Sequence, residues 1–239
     1  MISICIPCWE FGGNGVFLLA KNLSMLENQT YDDIQIVVSD NSKDNKIVDF
    51  INQYKGKLKI KYVQNDPRYR KSAQHNFNNA IRNADGDIIS LMCQDDYFTS
   101  IFSIEEIVNG FIEPYKWLIT SVWLKDVKFK TERLHHPRWD DKIILGFNYI
   151  GPPSMLSMRK GFECYFDTET VYYSDCELYH QLYVKYGLPK VLDAGCVTYN
   201  IWEGNGTVTA AATFNYQNEI DYIKKKYNLP ANAMGHIPV

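Results

Sequence analysis

The sequence predicts a single α/β domain organised around a parallel sheet, and three observations lead there. Over the first hundred residues, short apolar strands alternate with amphipathic helices across short connections. Three polar clusters, Cys8 to Glu10, Asp40 to Asp44 and Gln94 to Asp96, fall at the carboxyl ends of predicted strands. Open α/β sheets bind their ligands there. The 239 residues, 46% hydrophobic and 22% charged, suffice for one sizeable core, with no linker, internal repeat or low-complexity stretch.

Ile2 to Pro7 is the first strand. After the Gly12-Gly13-Asn14-Gly15 loop, Val16, Leu19, Ala20, Leu23 and Leu26 recur at helical spacing, so one stripe faces the sheet and the helix stops near Gln29. Ile34 to Ser39 is the second strand, closed by the turn-forming run Asp40-Asn41-Ser42-Lys43-Asp44. Lys46 to Tyr54 is a helix, Leu58 to Gln64 a strand and Ser72 to Asn83 a helix. Asp85-Gly86-Asp87 then turns the chain into the strand Ile88 to Cys93.

Beyond residue 100 the alternation loosens. Ser103 with Glu106 reads as a capping box opening a helix to about Glu113, and Trp117 to Trp123 as a strand. Lys125 to Arg138 is a polar connection. The loop Gly151-Pro152-Pro153-Ser154 precedes a strand from Met155 to Met158. Ser174 with Glu177 reads as a second capping box, whose helix runs to Tyr186 and ends at Gly187. Lys190 to Asn200 is the last strand, and Phe214 to Tyr227 a closing helix.

The formal charge of −3 provides no global positive field, so an anionic partner has to be met by a local patch. The apolar runs are far shorter than the roughly 20 residues of a bilayer span, and Met1 to Pro7 has no signal-peptide pattern. A cytoplasmic chain without a transmembrane segment is expected. Its six cysteines then read as reduced, buried thiols, and the sequons at Asn22, Asn28 and Asn205 carry no meaning. Cys5-Ile-Pro-Cys8 matches a redox C-x-x-C, but Cys5 lies inside a strand, and no second pair completes a zinc site. Leu18 stands where a dinucleotide fingerprint needs its third glycine.

Asp95 and Asp96 are adjacent carboxylates at a strand end, an arrangement that costs energy unless donors or a cation compensate it. Mg²⁺ or Mn²⁺ would do so, since either is held by one or two carboxylates plus substrate phosphates and water. A solvated acidic turn is the plain alternative.

Taken in order, Ile4-Cys-Ile-Pro7-Cys-Trp-Glu10, Val37-Val-Ser-Asp40-Asn-Ser-Lys-Asp44, Asn65, Gln74-His-Asn76, Ala84-Asp-Gly-Asp-Ile-Ile89 and Gln94-Asp-Asp96 resemble the nucleotide-binding half of family 2 glycosyltransferases of the GT-A fold. The resemblance covers about the first hundred residues. It implies a GT-A-like, Rossmann-type sheet with helices on both faces in a single domain. Residues 1–100 would form the nucleotide-sugar half, 101–209 the acceptor side, and 210–239 a C-terminal helix and tail. The implied activity is inverting transfer from a nucleotide-diphosphate sugar, with Mn²⁺ or Mg²⁺ as cofactor.

Carried over position by position, the resemblance puts Pro7, Cys8 and Glu10 against the base and ribose. Asp40 accepts the base N–H, as for uracil and hence a UDP-sugar, and Asp44 holds its loop. His75 falls among the donor contacts where many members have Arg, and Cys93 replaces the first Asp of the DXD-like element. Asp95 contacts the ribose or donor sugar, and Asp96 ligates the metal. A weaker resemblance, over Gly151 to Arg159 and Tyr173-Ser-Asp-Cys-Glu-Leu178, puts the general base on Asp175. The plain alternative is a first-turn acid favoured by the helix dipole. Beyond the last strand, Trp202 is placed to stack on a sugar and Glu203 to approach the metal, or the segment simply packs over the core.

The implied acceptor is a hydroxyl of a glycan or lipid-linked glycan. A modified base in DNA stays open as an alternative, because Lys125, Lys128, Lys130, Arg133 and Arg138 interleave with Phe129, His135, His136 and Trp139. Tyr222-Ile-Lys-Lys-Lys-Tyr227 adds three cations suited to lipid headgroups or to a helix end. A sugar-nucleotide-binding module without catalysis is the third reading.

Overall fold

The computed structural model describes residues 1–202 and 216–236. Four strands, β1 (Ile2–Cys8), β2 (Ile34–Asp40), β3 (Lys59–Gln64) and β4 (Ile88–Leu91), pair in parallel in the order β3-β2-β1-β4. Their crossovers carry α1 (Gly15–Glu27), α2 (Lys46–Gln53) and α3 (Ala73–Arg82). Every residue of β2 is buried, as its run Ile-Gln-Ile-Val-Val requires of a central parallel strand. Its polar members are paired: Gln35 accepts the Ser3 hydroxyl at 2.7 Å, and Ser39 donates to Asn76 at 2.6 Å. At the edge, β3 keeps Lys59 exposed and Lys61 partly so, charges that oppose a further strand. Gly86 lies so close to β1 that a Cβ there would meet Ser3 N at 2.7 Å. Its backbone N–H donates to the Ser3 hydroxyl at 2.8 Å.

The second half adds β5 (Tyr97–Phe98), α4 (Ser103–Gly110), β6 (Trp117–Asp126), β7 (Thr131–His135), β8 (Leu156–Arg159), α5 (Ser174–Tyr186), β9 (Lys190–Ile201) and α6 (Tyr216–Lys226). The sheet continues from β4 as β8-β6-β9-β5, with β7 paired to the outer half of β6. Here β8 runs antiparallel to both neighbours, while β6 and β9 are parallel.

Helices cover both faces, as expected. On one, Leu19, Leu23, Ile47 and Ile104 pack against Ile4 and Ile36; on the other, Phe77, Ile81, Leu178 and Leu182 pack against Cys5 and Val37. Cys5 and Cys8 belong to different faces, because three steps along a strand invert the side chain, and so they form no dithiol pair.

Several local expectations are corrected. The Ser103 hydroxyl accepts from Ser100 N at 3.0 Å without capping α4, and Glu106 accepts from the Cys196 thiol. Neither does Ser174 cap α5. Glu219 of α6 accepts the backbone N–H groups of Val171, Tyr172 and Tyr173, while buried Glu177 takes Lys226 Nζ at 2.6 Å and Tyr227 OH at 2.5 Å. The polar connection from Lys125 is a β-hairpin, β6 to β7, turned through Lys130 at φ 53°. The expected closing helix is α6, with Phe214 outside the described residues.

Candidate active site

The carboxyl ends of β1, β2 and β4 bring the three polar clusters together. Gln94 clamps the first to the third: its Oε1 accepts Trp9 N–H at 3.0 Å, its Nε2 donates to Gly15 O at 2.8 Å, and its carbonyl accepts Asn22 Nδ2 at 2.9 Å. Glu10 joins the second cluster, its Oε2 accepting Lys43 N–H at 3.3 Å. Asp40 is 2% exposed; Oδ1 accepts Ser42 N–H at 2.8 Å and Oδ2 accepts Tyr62 OH at 2.9 Å. Asp44 accepts Lys46 N–H and its ammonium, which hold its carboxyl below the usual range and fix the start of α2.

The paired acids are held differently. Asp96 is 1% exposed, and both its oxygens are taken: Ser154 Oγ donates to Oδ2 at 2.5 Å and Asn200 N to Oδ1 at 3.1 Å. Asp95 is only partly buried, and Trp202 Nε1 donates to its Oδ2 at 3.0 Å. Burial raises both acids, and the charge of Asp95 raises Asp96 further. Among the described residues no group of three or more His, Cys, Asp or Glu assembles a closed metal cage. Two crowded acids nevertheless fit a hard divalent cation whose shell is completed by phosphates and water, and such a charge would relieve their repulsion.

An aromatic wall stands over Asp95. Phe11 stacks on Trp202 with centroids 5.4 Å apart and meets Trp9 at 4.9 Å, and Trp9 is 47% exposed. Pro7 is partly buried, but the Cys8 thiol is fully buried in the core. Cys8 therefore offers the site only its backbone, whose carbonyl already accepts Asn41 N and Asn76 Nδ2. His75 stacks on Tyr69 at 3.8 Å and shares a 2.9 Å hydrogen bond with Ser72 Oγ. Burial and then Arg82 lower its pKa, which keeps the imidazole neutral at pH 7. Glu203 lies outside the described residues.

Asp175 sits in the first turn of α5. Burial pushes its carboxyl up to about 7, against a long 3.5 Å contact from Ser174 Oγ. Its charge is felt by Cys93, two residues beyond β4, so α5 brings this acid to the same end of the sheet as the turn that carries Asp95 and Asp96. Tyr179 OH, one turn on, donates to the carbonyls of Gly151 and Pro152 and ties α5 to the loop that supplies Ser154. Trp9, Tyr62, Ser154 and Asn200 join the site without a sequence motif that marks them. For Trp9 a signal existed, a large aromatic between two residues assigned to the site.

A family model described as "Glycosyl transferase family 2" matches residues 3–185, most of the chain. The chain belongs to glycosyl transferase family 2. A second match is to a GalNAc(5)-diNAcBac-PP-undecaprenol beta-1,3-glucosyltransferase of Campylobacter jejuni, 31% identical over 100 residues. That stretch is 41% of this chain and 31% of the relative, so this family 2 chain matches about a third of that protein's length. Among solved structures, S. aureus TarS 1–349 in complex with UDP-GlcNAc superposes with a TM-score of 0.69 at 16% identity, covering 94% of this chain and 66% of that one. The mannosyltransferase PcManGT from Pyrobaculum calidifontis, in complex with GDP-Man and Mn²⁺, gives 0.64 at 12% identity, covering 99% and 65%. At such identities the likeness is one of fold, and it gives this family 2 chain a GT-A-like fold.

Proposed function

We propose that this domain is an inverting glycosyltransferase that moves a sugar from a UDP-sugar to a hydroxyl of a glycan or lipid-linked glycan. The observation that carries the reading is the gathering of three polar clusters, with the paired acids Asp95 and Asp96, at the carboxyl ends of β1, β2 and β4 in a family 2 chain; Asp175, whose carboxyl burial pushes up to about 7, supplies the base. A base poised near neutrality suits removal of a hydroxyl proton. The UDP-GlcNAc, GDP-Man and undecaprenol-linked chemistry named for the relatives supports a nucleotide-sugar donor and a glycan acceptor over DNA.

In this mechanism residues 1–100 hold the donor and residues 101–209 shape the acceptor side. Trp9, Pro7 and Glu10 line the base and ribose, and Asp40, fixed by Ser42 and Tyr62, accepts the base N–H. Asp175 takes the proton of the acceptor hydroxyl. The acceptor oxygen forms its bond to the anomeric carbon on the face opposite the diphosphate, whose C–O bond breaks with the electron pair leaving on the diphosphate oxygen. Bound Mn²⁺ or Mg²⁺ would neutralise that leaving charge.

Exposure favours Asp95 over Asp96 as its ligand. Asp96, which the sequence resemblance assigns to the metal, has both oxygens engaged below the surface and serves to hold Asp95's turn in place.

The test is thermal stabilisation by a panel of nucleotide-diphosphate sugars, each with Mn²⁺ or with chelator. A ligand at one hundred times its Kd adds about 2.7 kcal/mol. A metal-dependent shift with one UDP-sugar is expected. The absence of any shift across the panel overturns the reading.

A further inference from the structure

We propose that the β6–β7 hairpin docks this domain onto an anionic lipid bilayer, with Val127 and Phe129 entering the headgroup boundary and Lys125, Lys128, Lys130 and Arg133 meeting lipid phosphates. Val127 is 52% exposed and Phe129 69%. Leaving two such side chains in water gains nothing, whereas a membrane interface accepts apolar tips beside a basic flank. The tip is built, since Asp126 Oδ1 accepts Phe129 N–H at 2.9 Å and Lys130 takes the left-handed conformation that closes the turn. That bond occupies one of the hairpin's acids, and Glu132 pairs with Lys125 at 3.0 Å. Four cations against these two acids leave the segment from Lys125 to Arg133 positive in a chain of net charge −3.

The basic face extends past the hairpin. Lys21 Nζ lies 3.8 Å from the centroid of the Tyr97 ring, which also meets Lys125, and Phe17, one turn earlier on α1, is 69% exposed. An aliphatic tip separates this surface from a nucleic-acid groove, where Val127 would find no partner.

The hairpin also stands beside the reaction. Val127 N–H donates to Ile201 O at 3.0 Å, and the next residue, Trp202, holds Asp95. A bilayer at the tip would therefore present a lipid-linked acceptor at the mouth of the site. That consequence rests on the proposed glycosyltransferase reading; the docking itself does not.

The test is co-sedimentation of the full chain with phosphatidylcholine vesicles with and without phosphatidylglycerol. Binding at least tenfold stronger to the anionic vesicles is expected. Two double variants, Val127→Ser with Phe129→Ser and Lys128→Glu with Lys130→Glu, should each lower it about tenfold, with melting temperature unchanged. Equal binding to both vesicle types, or variants that bind as the parent does, overturns the proposal. So does a hairpin whose charge reversal abolishes binding to duplex DNA and spares vesicles. Vesicle binding that obeys these expectations in a chain that no sugar nucleotide stabilises upholds the docking and removes the proposed activity instead.

Discussion

The Ser154 hydroxyl donates to Asp96 Oδ2 at 2.5 Å while accepting Cys93 N–H at 2.9 Å, so one small side chain closes the acidic turn from the other half of the chain. Ser154→Ala removes a donor from a buried carboxylate. The expected loss is about 1–3 kcal/mol of stability at neutral pH, read by denaturant unfolding, with weaker sugar-nucleotide affinity by calorimetry. A variant as stable as the parent would mean that water replaces the hydroxyl.

Asp175 is held near 7 by burial, well above an unfolded aspartate. Between about pH 4 and pH 7 the folded chain keeps a proton that the unfolded chain has released, so stability falls as pH rises, and the deficit is complete above 7. Asp175→Asn should therefore melt higher than the parent at pH 8, by a few degrees, and match it at pH 4. The same variant should lose at least a hundredfold in turnover with donor binding retained. Parent activity should rise with pH through a midpoint near 7.

Asp95 and Asp96 separate by substitution. Asp95→Asn should abolish the Mn²⁺-dependent part of the thermal shift produced by a sugar nucleotide. Asp96→Asn preserves the acceptor for Asn200 N–H and should keep that dependence while raising stability at neutral pH, because burial disfavours the charge it removes. The opposite pattern, read in the same melts, returns the metal to Asp96.

Glu219 reaches from α6 to three backbone N–H groups ahead of α5. Glu219→Ala leaves those donors without a carboxylate at the helix start that carries Asp175. We expect about 1–3 kcal/mol of destabilisation and a fall in kcat larger than any rise in KM, with Glu219→Gln recovering part of both.

The order of strands and helices was legible because each central strand is a buried apolar run and each crossover helix has one apolar stripe. The caps were not, because the acceptor for the start of α5 lies on another helix, and Glu177, at capping-box spacing, turns instead to Lys226 and Tyr227. β7 escaped notice because Thr131-Glu-Arg carries no buried face. Of the site, the gathering of the three polar clusters could be read from the sequence. The difference between Asp95 and Asp96 could not, because adjacent acids look alike until Ser154, from a loop, and the backbone N–H of Asn200, from β9, reach the Asp96 carboxylate.

Asn200 arrives there through an irregular ladder. Nine residues of β6, Leu118–Asp126, run alongside the twelve of β9, and the surplus is taken up opposite Thr120, Ser121 and Val122. Gly195 sits in that stretch, where a Cβ would meet Trp123 Nε1 at 2.5 Å. An odd surplus inverts the outward alternation of everything downstream. The bulge thus works as a gear between scaffold and chemistry: deleting one residue there would bring Ile201 to the place of Asn200. Length in this short stretch is consequently constrained as tightly as the glycine at its centre, and natural insertions should avoid it even where neighbouring loops accept them.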